Sequence, residues 1–482
     1  MNKPQHIHII GICGVATSAI AIALHKNGWK VTGSDKGFYP PVSTALENAG
    51  VKFYAGWHPE KMSADGDPDM IMVGGGGTSN NNPEALYAKT KGIPYLSYAQ
   101  LLGKHFVKRN SIVSVGTWGK TTTSALLAFI MSEAGMSPSY MFGGVSDMLP
   151  AAALHDGEWS VFEGDEYQSA IWDKRPKFAY YHPSHLLFTS VSWDHADLYP
   201  TEADYFDIFE RIVGSVPAKK IVACTDDDGV RKILIKLKYR PTTYGTLDGV
   251  DFRYANVEQS KDGIAFDIMY DNEPHHIQSP LLGSYNAENI TGVFAMAVTL
   301  GIESEVVADS IHRFTGIKRR LEKRYVGDVT VIDAHAPTPE KAASNLKTLR
   351  EIFDGPSTGS GRKSKIFAIF EPNIGGRNRE SIPQYTNAFK DADNVYIPHF
   401  TKVKVDPSKE APLEGDELTE IIARSQSNTV YIDDDDKLIT DVIRKVKKGD
   451  VIVFLGSHGF RGMIEETIKK LTTTAPKSKS KK

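Results

Sequence analysis

The sequence predicts an α/β protein made of three successive strand–helix units, on three observations. The chain has 482 residues, which at roughly 150 residues per domain is about three domains. Short apolar runs alternate with helical patterns along most of its length, the signature of mostly parallel sheets. A glycine loop, Gly116-Thr117-Trp118-Gly119-Lys120-Thr121, stands between a predicted strand and a predicted helix, the setting of a phosphate loop.

In the first unit, residues 6–12 are an apolar run that meets glycine, 16–27 are a helical pattern closed by Gly28, and 30–35 are a second strand. Residues 69–73 predict a third strand, running into Gly74-Gly75-Gly76-Gly77. The unit ends near His105, before the polar junction Lys108-Arg109-Asn110. The second unit opens with strand 111–115, the glycine loop and helix 121–134, followed by strands at 160–163, 185–191 and 220–225. Short alternating segments with turn residues at 244–279 predict an antiparallel insertion, and helix 287–300 leads to Lys318-Arg319-Arg320. The third unit has strand 329–333, helix 338–353, a Gly/Ser-rich basic loop at 354–365, and strands 366–370 and 451–455. Residues 472–482 carry too little apolar surface to fold and read as a disordered tail. The predicted bounds are 1–107, 108–321, 322–471 and the tail 472–482.

Composition narrows the function. At 41% hydrophobic and 24% charged the chain is ordinary for a globular protein. A net charge of −3 argues against a nucleic-acid partner. No apolar run reaches the roughly 18 residues that span a bilayer, and the polar start has no signal-peptide pattern. Two cysteines, Cys13 and Cys224, make no disulfide framework. A reduced, cytoplasmic protein without a membrane partner is expected.

The chemistry starts at the loop. Glycines let backbone amides approach phosphate oxygens, and the following helix N-terminus adds positive potential. Lys120 is expected on the β/γ-phosphates and the Thr121 hydroxyl on Mg²⁺. The full signature has a glycine two residues before Gly116, where this chain has Ser114. An ordinary glycine turn is the plain alternative, disfavoured by Gly-Lys-Thr between strand and helix. Two further strands end in chemistry-bearing residues: Glu163-Gly164-Asp165-Glu166, and Trp193-Asp194-His195-Ala196-Asp197. Ligands of open parallel sheets bind at the carboxyl ends of strands, so Glu163 and His195 are expected beside the phosphates, holding a second Mg²⁺. His182-Pro183-Ser184-His185 and His275-His276 read as structural, because a zinc site wants further ligands nearby.

Taken in order, Gly-Thr-x-Gly-Lys-Thr, Glu-x-Asp-Glu and Asp-His resemble the Mur ligases, over nearly the whole chain. Within that family the match looks closest to the murein peptide ligase branch, through residues 6–14, Gly33-Ser34-Asp35, 39–44, 173–178 and 193–197. The L-alanine-adding branch is the nearest sister. The resemblance implies a Rossmann-like UDP-binding domain, a central P-loop ATPase domain and a C-terminal Rossmann-like domain. It implies an ATP- and Mg²⁺-dependent ligase, a monomer or homodimer, of peptidoglycan synthesis or recycling. The lactyl carboxylate of UDP-N-acetylmuramate would join the amine of a peptide, L-Ala-γ-D-Glu-meso-diaminopimelate, or of L-alanine, through an acyl phosphate. Gly11, Gly14, Ser34 and Asp35 would hold the UDP, although Gly11-Ile12-Cys13-Gly14 is no clean dinucleotide fingerprint. ATP would be bound by Gly116, Thr117, Gly119, Lys120, Thr121, Thr122, Asn286, Asn289, Arg320 and Asp333. The metal ligands would be Thr121, Glu163 and His195, and the catalytic residues Lys120, Glu163 and His195.

The chain departs from the family pattern at several places. Trp118 stands where His or Asn is usual, Gly164 where Ala is common, and Tyr285 where His is frequent. Asp333-Ala334-His335-Ala336-Pro337 displaces the third-domain histidine, and 371–379 differs from the murein peptide ligase branch. Glu210 stands near the position of the carbamylated lysine of some members, so no such lysine is expected. Two competing readings remain: a Rossmann oxidoreductase, which leaves the P-loop unexplained, and a non-catalytic nucleotide-binding relative.

Overall fold

Three sheets organise the chain, here seen in a computed structural model that describes residues 5–38, 40–74, 81–195, 198–354, 362–401 and 410–474. The glycines at 75–77, most of the basic loop at 354–365, Ala196, Asp197 and the tail beyond 474 lie outside the described residues.

The first sheet has five parallel strands in the order Lys52–Ala55, Lys30–Asp35, His6–Ile10, Met70–Val73, Tyr95–Ser97. The two innermost of the apolar runs, His6–Ile10 and Met70–Val73, are buried along their whole length, as strands covered on both faces are. The sequence reading found three of the five. It missed Lys52–Ala55, a half-exposed edge strand, and Tyr95–Ser97, only three residues long.

The second sheet has ten strands. From one edge they run Glu273–Ser279, Gly263–Tyr270, Phe252–Ser260, Thr242–Gly245, Ile221–Cys224, His185–Phe188, Asn110–Val115, Trp159–Gly164, Ser139–Met141, Ala152–Ala153. The first three are the expected insertion; Asp271 and Asn272 join two of them with φ of 51° and 62°, the two left-handed residues of a tight hairpin turn. Asn110–Val115 lies between His185–Phe188 and Trp159–Gly164, parallel to both. The carboxyl ends of these three strands therefore share one edge. Beyond Gly164 a two-stranded hairpin, Gln168–Ala170 with Asp173–Pro176, turns the chain back.

The third sheet is ordered Glu322–Val326, Thr330–His335, Val451–Gly456, Ile366–Glu371, Asn394–Ile397, Thr429–Tyr431. Only the first pair is antiparallel.

Contacts gather the chain into two compact units: residues 1–258, 265–280 and 285–317 form one, and 259–264, 281–284 and 318–482 the other. The first two sheets fall into one unit because they share a core, with Ile7, Val31 and Leu24 in the same buried cluster as Val113, Phe162 and Phe188. The third sheet has cores of its own on its two faces, Leu346 and Phe370 in one, Val331 and Phe454 in the other. Among the described residues no helix is long and apolar enough to cross a membrane.

Candidate functional site

Strand Asn110–Val115 passes through the glycine loop into helix Lys120–Glu133, one turn-residue earlier than the expected start. Gly119 caps this helix with φ +83°, and a Cβ there would stand 2.4 Å from Asn289 Oδ1. Only glycine takes that backbone without strain, and only glycine leaves room for Asn289. The loop is braced from the end of the neighbouring strand. Thr117 N–H donates to Ser190 O at 3.0 Å and Trp118 N–H to Ser190 Oγ at 2.9 Å, while Thr189 Oγ1 donates to Trp118 O at 2.6 Å.

Within that frame the carboxylates divide the work. Lys120 Nζ donates to Gly116 O at 2.6 Å and lies 2.9 Å from Glu166 Oε2. Glu166 is 2% exposed; it also accepts from Tyr205 OH at 3.2 Å and lies 3.5 Å from His195 Nε2. Glu163 takes a different partner set: Thr121 Oγ1 donates to it at 2.8 Å and Gly143 N–H at 2.6 Å. Glu163 and His195, expected together on a second Mg²⁺, rest here on different partners. Thr121 sits with Glu163, and His195 with Glu166, because the strand ends at Gly164 and the chain beyond it swings Glu166 under the loop. Hydrogen bonding to Glu166 raises the His195 pKa above its ordinary value against the effect of burial.

The structure gives the other predicted residues the following partners. The Thr117 hydroxyl points beneath the loop, donating to Ser192 O at 2.9 Å and meeting Tyr205 OH at 3.1 Å, so it braces the loop. Thr122 is half-buried in the first helical turn. Asn286 and Asn289 are buried, bonded to each other at 3.2 Å, with Asn289 against the loop. Arg320 and Asp333 belong to the second unit. Arg320 is exposed there, whereas Asp333 is 2% exposed and accepts from Arg319 Nε at 3.2 Å. Burial raises the Asp333 pKa, offset only in part by Arg319. Arg319 also caps the carbonyls of Gly456, Ser457 and His458. Asp333 is thus part of a strut within its own unit.

In the first sheet, Gly11 N–H and Ile12 N–H both donate to Ser34 O, at 2.8 and 3.1 Å, and Cys13 N–H donates to Asp35 Oδ2 at 2.8 Å. Gly14 precedes helix Val15–Lys26 with no side-chain cap, which leaves that first turn suited to an anion. Ser34 is the exception among the predicted UDP residues. It is fully buried and donates to Glu84 Oε2 at 2.5 Å, so it holds the loop from below.

A cavity of about 380 Å³ opens between the first helix and the segment that follows Gly164. Ala16, Thr17 and Gly74 line it from the first sheet, and Asp165, Trp172 and Lys177 from the second. Lys177 Nζ lies 2.5 Å from Asp165 Oδ2. Burial alone would raise Asp165, but Lys177 and the Tyr167 amide outweigh it and hold the carboxyl below its ordinary range. The sequence reading assigned no role to Glu166, Lys177, Tyr205 or Ser190. Its one usable signal was electrostatic: a buried phosphate-loop lysine needs a carboxylate at rest.

Comparison with known proteins now bears on this site. Residues 6–109 match the Mur ligase family, catalytic domain; 115–297 match the Mur ligase middle domain; 319–458 match the Mur ligase, glutamate ligase domain. A UDP-N-acetylmuramate–L-alanine ligase of Lacticaseibacillus casei is 30% identical over 415 residues, which cover 86% of this chain and 88% of that one. The chain belongs to the Mur ligase family. As such it is an ATP-dependent ligase that forms an amide C–N bond, in a family of peptidoglycan synthesis. Among solved structures, a UDP-N-acetylmuramate–alanine ligase of Thermotoga maritima shares the fold at TM-score 0.77 and 21% identity, covering 97% of this chain and 99% of that one. A murein peptide ligase of Psychrobacter arcticus follows at TM-score 0.67 and 25% identity, covering 98% and 100%.

In this Mur ligase the donors near the phosphate loop fit Mg²⁺, which takes one or two carboxylates and completes its shell with phosphate and water. Thr121 and Glu163 offer an alcohol and a carboxylate oxygen 2.8 Å apart. Among the described residues no group of three or more His, Cys, Asp or Glu forms an all-protein metal cage. Gly164 is more than a small departure: a Cβ there would stand 2.7 Å from Val113 Cγ1 and Val115 Cγ1, so this sheet is closed around glycine. Trp118, 55% exposed, rides on the outside of the loop.

Proposed function

We propose that the chain joins the lactyl carboxylate of UDP-N-acetylmuramate to the amino group of L-alanine at the expense of ATP. The observation that carries this reading is the phosphate loop with Lys120 held on Glu166 and Thr121 on Glu163, in one compact unit with an uncapped first helix whose Ala16 and Thr17 share a cavity with Asp165 and Lys177. The amine is taken from curated relatives named UDP-N-acetylmuramate–L-alanine ligase, which match 95% of the chain at 28–29% identity. This reverses the order of the two branches expected from the motifs. A second reading, addition of the tripeptide, is favoured by Asp173-Lys174-Arg175-Pro176-Lys177-Phe178 and by the murein peptide ligase among the structural relatives. The domain bounds 1–107, 108–321 and 322–471 belong to the same proposal.

The mechanism follows from charge. A carboxylate oxygen bonds to the γ-phosphorus as the bond from γ-phosphorus to the β–γ bridging oxygen breaks, and ADP leaves with the electron pair. The amine then attacks the acyl carbon, loses a proton, and phosphate leaves. Lys120 exchanges Glu166 for the β/γ-phosphates and neutralises charge on the leaving side. Glu163 and Thr121 would hold Mg²⁺, which supplies charge neutralisation on the phosphates when bound. His195 is kept oriented by Glu166. Trp172, Tyr167 and the aromatic floor of the cavity exclude water that would hydrolyse the acyl phosphate.

A phosphate-release assay with UDP-N-acetylmuramate and each amine in turn decides between the readings: L-alanine alone should support turnover. Lys120→Ala should lose ligation by at least about 100-fold, as loss of a charge-stabilising group does, with UDP-sugar binding intact. Near-normal turnover of that variant sinks the assignment.

A further inference from the structure

The acceptor cavity contains a cation that the nucleotide chemistry does not use. Lys177 is the only Lys or Arg among the described residues that line it. Its position is built rather than incidental. The hairpin Gln168–Ala170/Asp173–Pro176 returns the chain so that Lys177 N–H donates to Tyr167 O at 3.1 Å and Phe178 N–H to Asp165 O at 3.3 Å. The ammonium then lies over two rings, 5.8 Å from the centroid of Tyr98 and 5.7 Å from that of Tyr167, with the side chain 21% exposed. Asp165 takes one of its three protons, and Asp165 sits between Glu163 and Glu166, on the phosphate side of the cavity. Thr17 and Gly74, beside Gly11, also line the cavity.

We propose that Lys177 binds the carboxylate of the acceptor and holds it at the phosphate side of this cavity. This rests on the reading that the acceptor is a UDP-sugar carrying a carboxylate. The physical need is plain: the carboxylate must approach a polyphosphate of its own sign. Lys120, Glu163 and Thr121 address the phosphates, so the incoming carboxylate requires a counter-charge on its own side. An ammonium with two remaining donors, fixed by two rings and a backbone bond, supplies it without releasing Asp165. Aromatic flanks leave the charge poorly solvated, which strengthens its attraction for a carboxylate.

The test compares UDP-N-acetylmuramate with UDP-N-acetylglucosamine, the same nucleotide sugar without the lactyl carboxylate, by titration calorimetry on the full chain. The unsubstituted protein should bind the former more tightly. Lys177→Met should weaken UDP-N-acetylmuramate by about 10–100-fold, the worth of a charge-assisted hydrogen bond, and leave UDP-N-acetylglucosamine within about two-fold. Lys177→Arg should keep most of the discrimination. Asp165→Asn, which leaves the ammonium in place, should bind UDP-N-acetylmuramate as well or better, and carries the test if Lys177→Met does not fold. Equal weakening of both sugars by Lys177→Met overturns the proposal in favour of a structural ion pair, as does no weakening of either. A loss of discrimination in Asp165→Asn overturns it too. If the unsubstituted protein does not distinguish the sugars, the underlying UDP-N-acetylmuramate reading fails first, and the role of Lys177 with it.

Discussion

At Lys120 the resting protein has already chosen a stand-in for phosphate. The ammonium lies 2.9 Å from a Glu166 carboxylate that is 2% exposed. Removing one partner of a buried pair costs up to about 3–5 kcal/mol, mostly by stranding the other charge. Glu166→Gln should therefore lower the melting temperature of the nucleotide-free protein. ATP should restore more of it than in the unsubstituted chain, because its phosphates replace the missing charge. Equal nucleotide-induced shifts in the two proteins, by scanning fluorimetry, would argue against the stand-in role. This residue also marks a limit of sequence reading. The loop, Lys120, Thr121 and Glu163 were legible because a strand, a glycine turn and a helix dictate where they go. Glu166 was not, since alternation stops at Gly164 and only the path of the following loop decides which acid turns inward. Ser34 and Asp333 were named by motif position, and their burial against Glu84 and Arg319 was not legible in the sequence.

At the scale of elements, the first sheet is tied together by one carboxylate. Glu84, fully buried at the start of helix Pro83–Lys91, lies 3.4 Å from His8 Nε2 and accepts from Ser34 Oγ at 2.5 Å and Tyr54 OH at 2.6 Å. Those partners come from three adjacent strands. Burial raises its pKa, yet His8, Ser34 and Tyr54 together bring it below the ordinary range, so the group is charged in the folded state. Glu84→Ala would leave these donors unpaired, at about 1–3 kcal/mol for each buried polar group. Faster amide exchange is expected in Lys30–Asp35 and Lys52–Ala55, with Asn110–Val115 unaffected. Uniform acceleration across all three strands would show that Glu84 acts on global stability instead. The edge strand Lys52–Ala55 was invisible in the sequence because its side chains are half-exposed and carry no apolar alternation. His6–Ile10 and Val451–Gly456 were visible because both of their faces are covered.

Across the whole molecule, the separate cores predict two unfolding transitions, and the buried histidines predict how acid moves them. His6, His105 and His185, in the first unit, are each lowered from 6.5 to about 4, chiefly by burial. In the unfolded chain they take up protons near pH 6.5; in the folded protein they do not until about 4. Between those values the unfolded state binds more protons, so stability falls as pH falls. Glu288 opposes them. Burial raises it to about 7, so its contribution is present below the unfolded carboxylate value and lost as pH rises through about 7; acidification from 6.5 to 5 therefore favours the fold. His195, raised by Glu166, changes stability only above about 6.5. Three histidines against one glutamate leave the first unit acid-sensitive. In the second unit a single histidine, His335, is also lowered to about 4 by burial. Calorimetry of the full chain at pH 6.5 and 5 should show both transitions moving down, the first unit's further than the second's. The fragment 318–482, which contains the third sheet and its two cores apart from Leu282, should reproduce the smaller shift. A single transition that shifts as one would mean that the two units unfold together, and equal shifts of two would place the acid sensitivity outside these histidines.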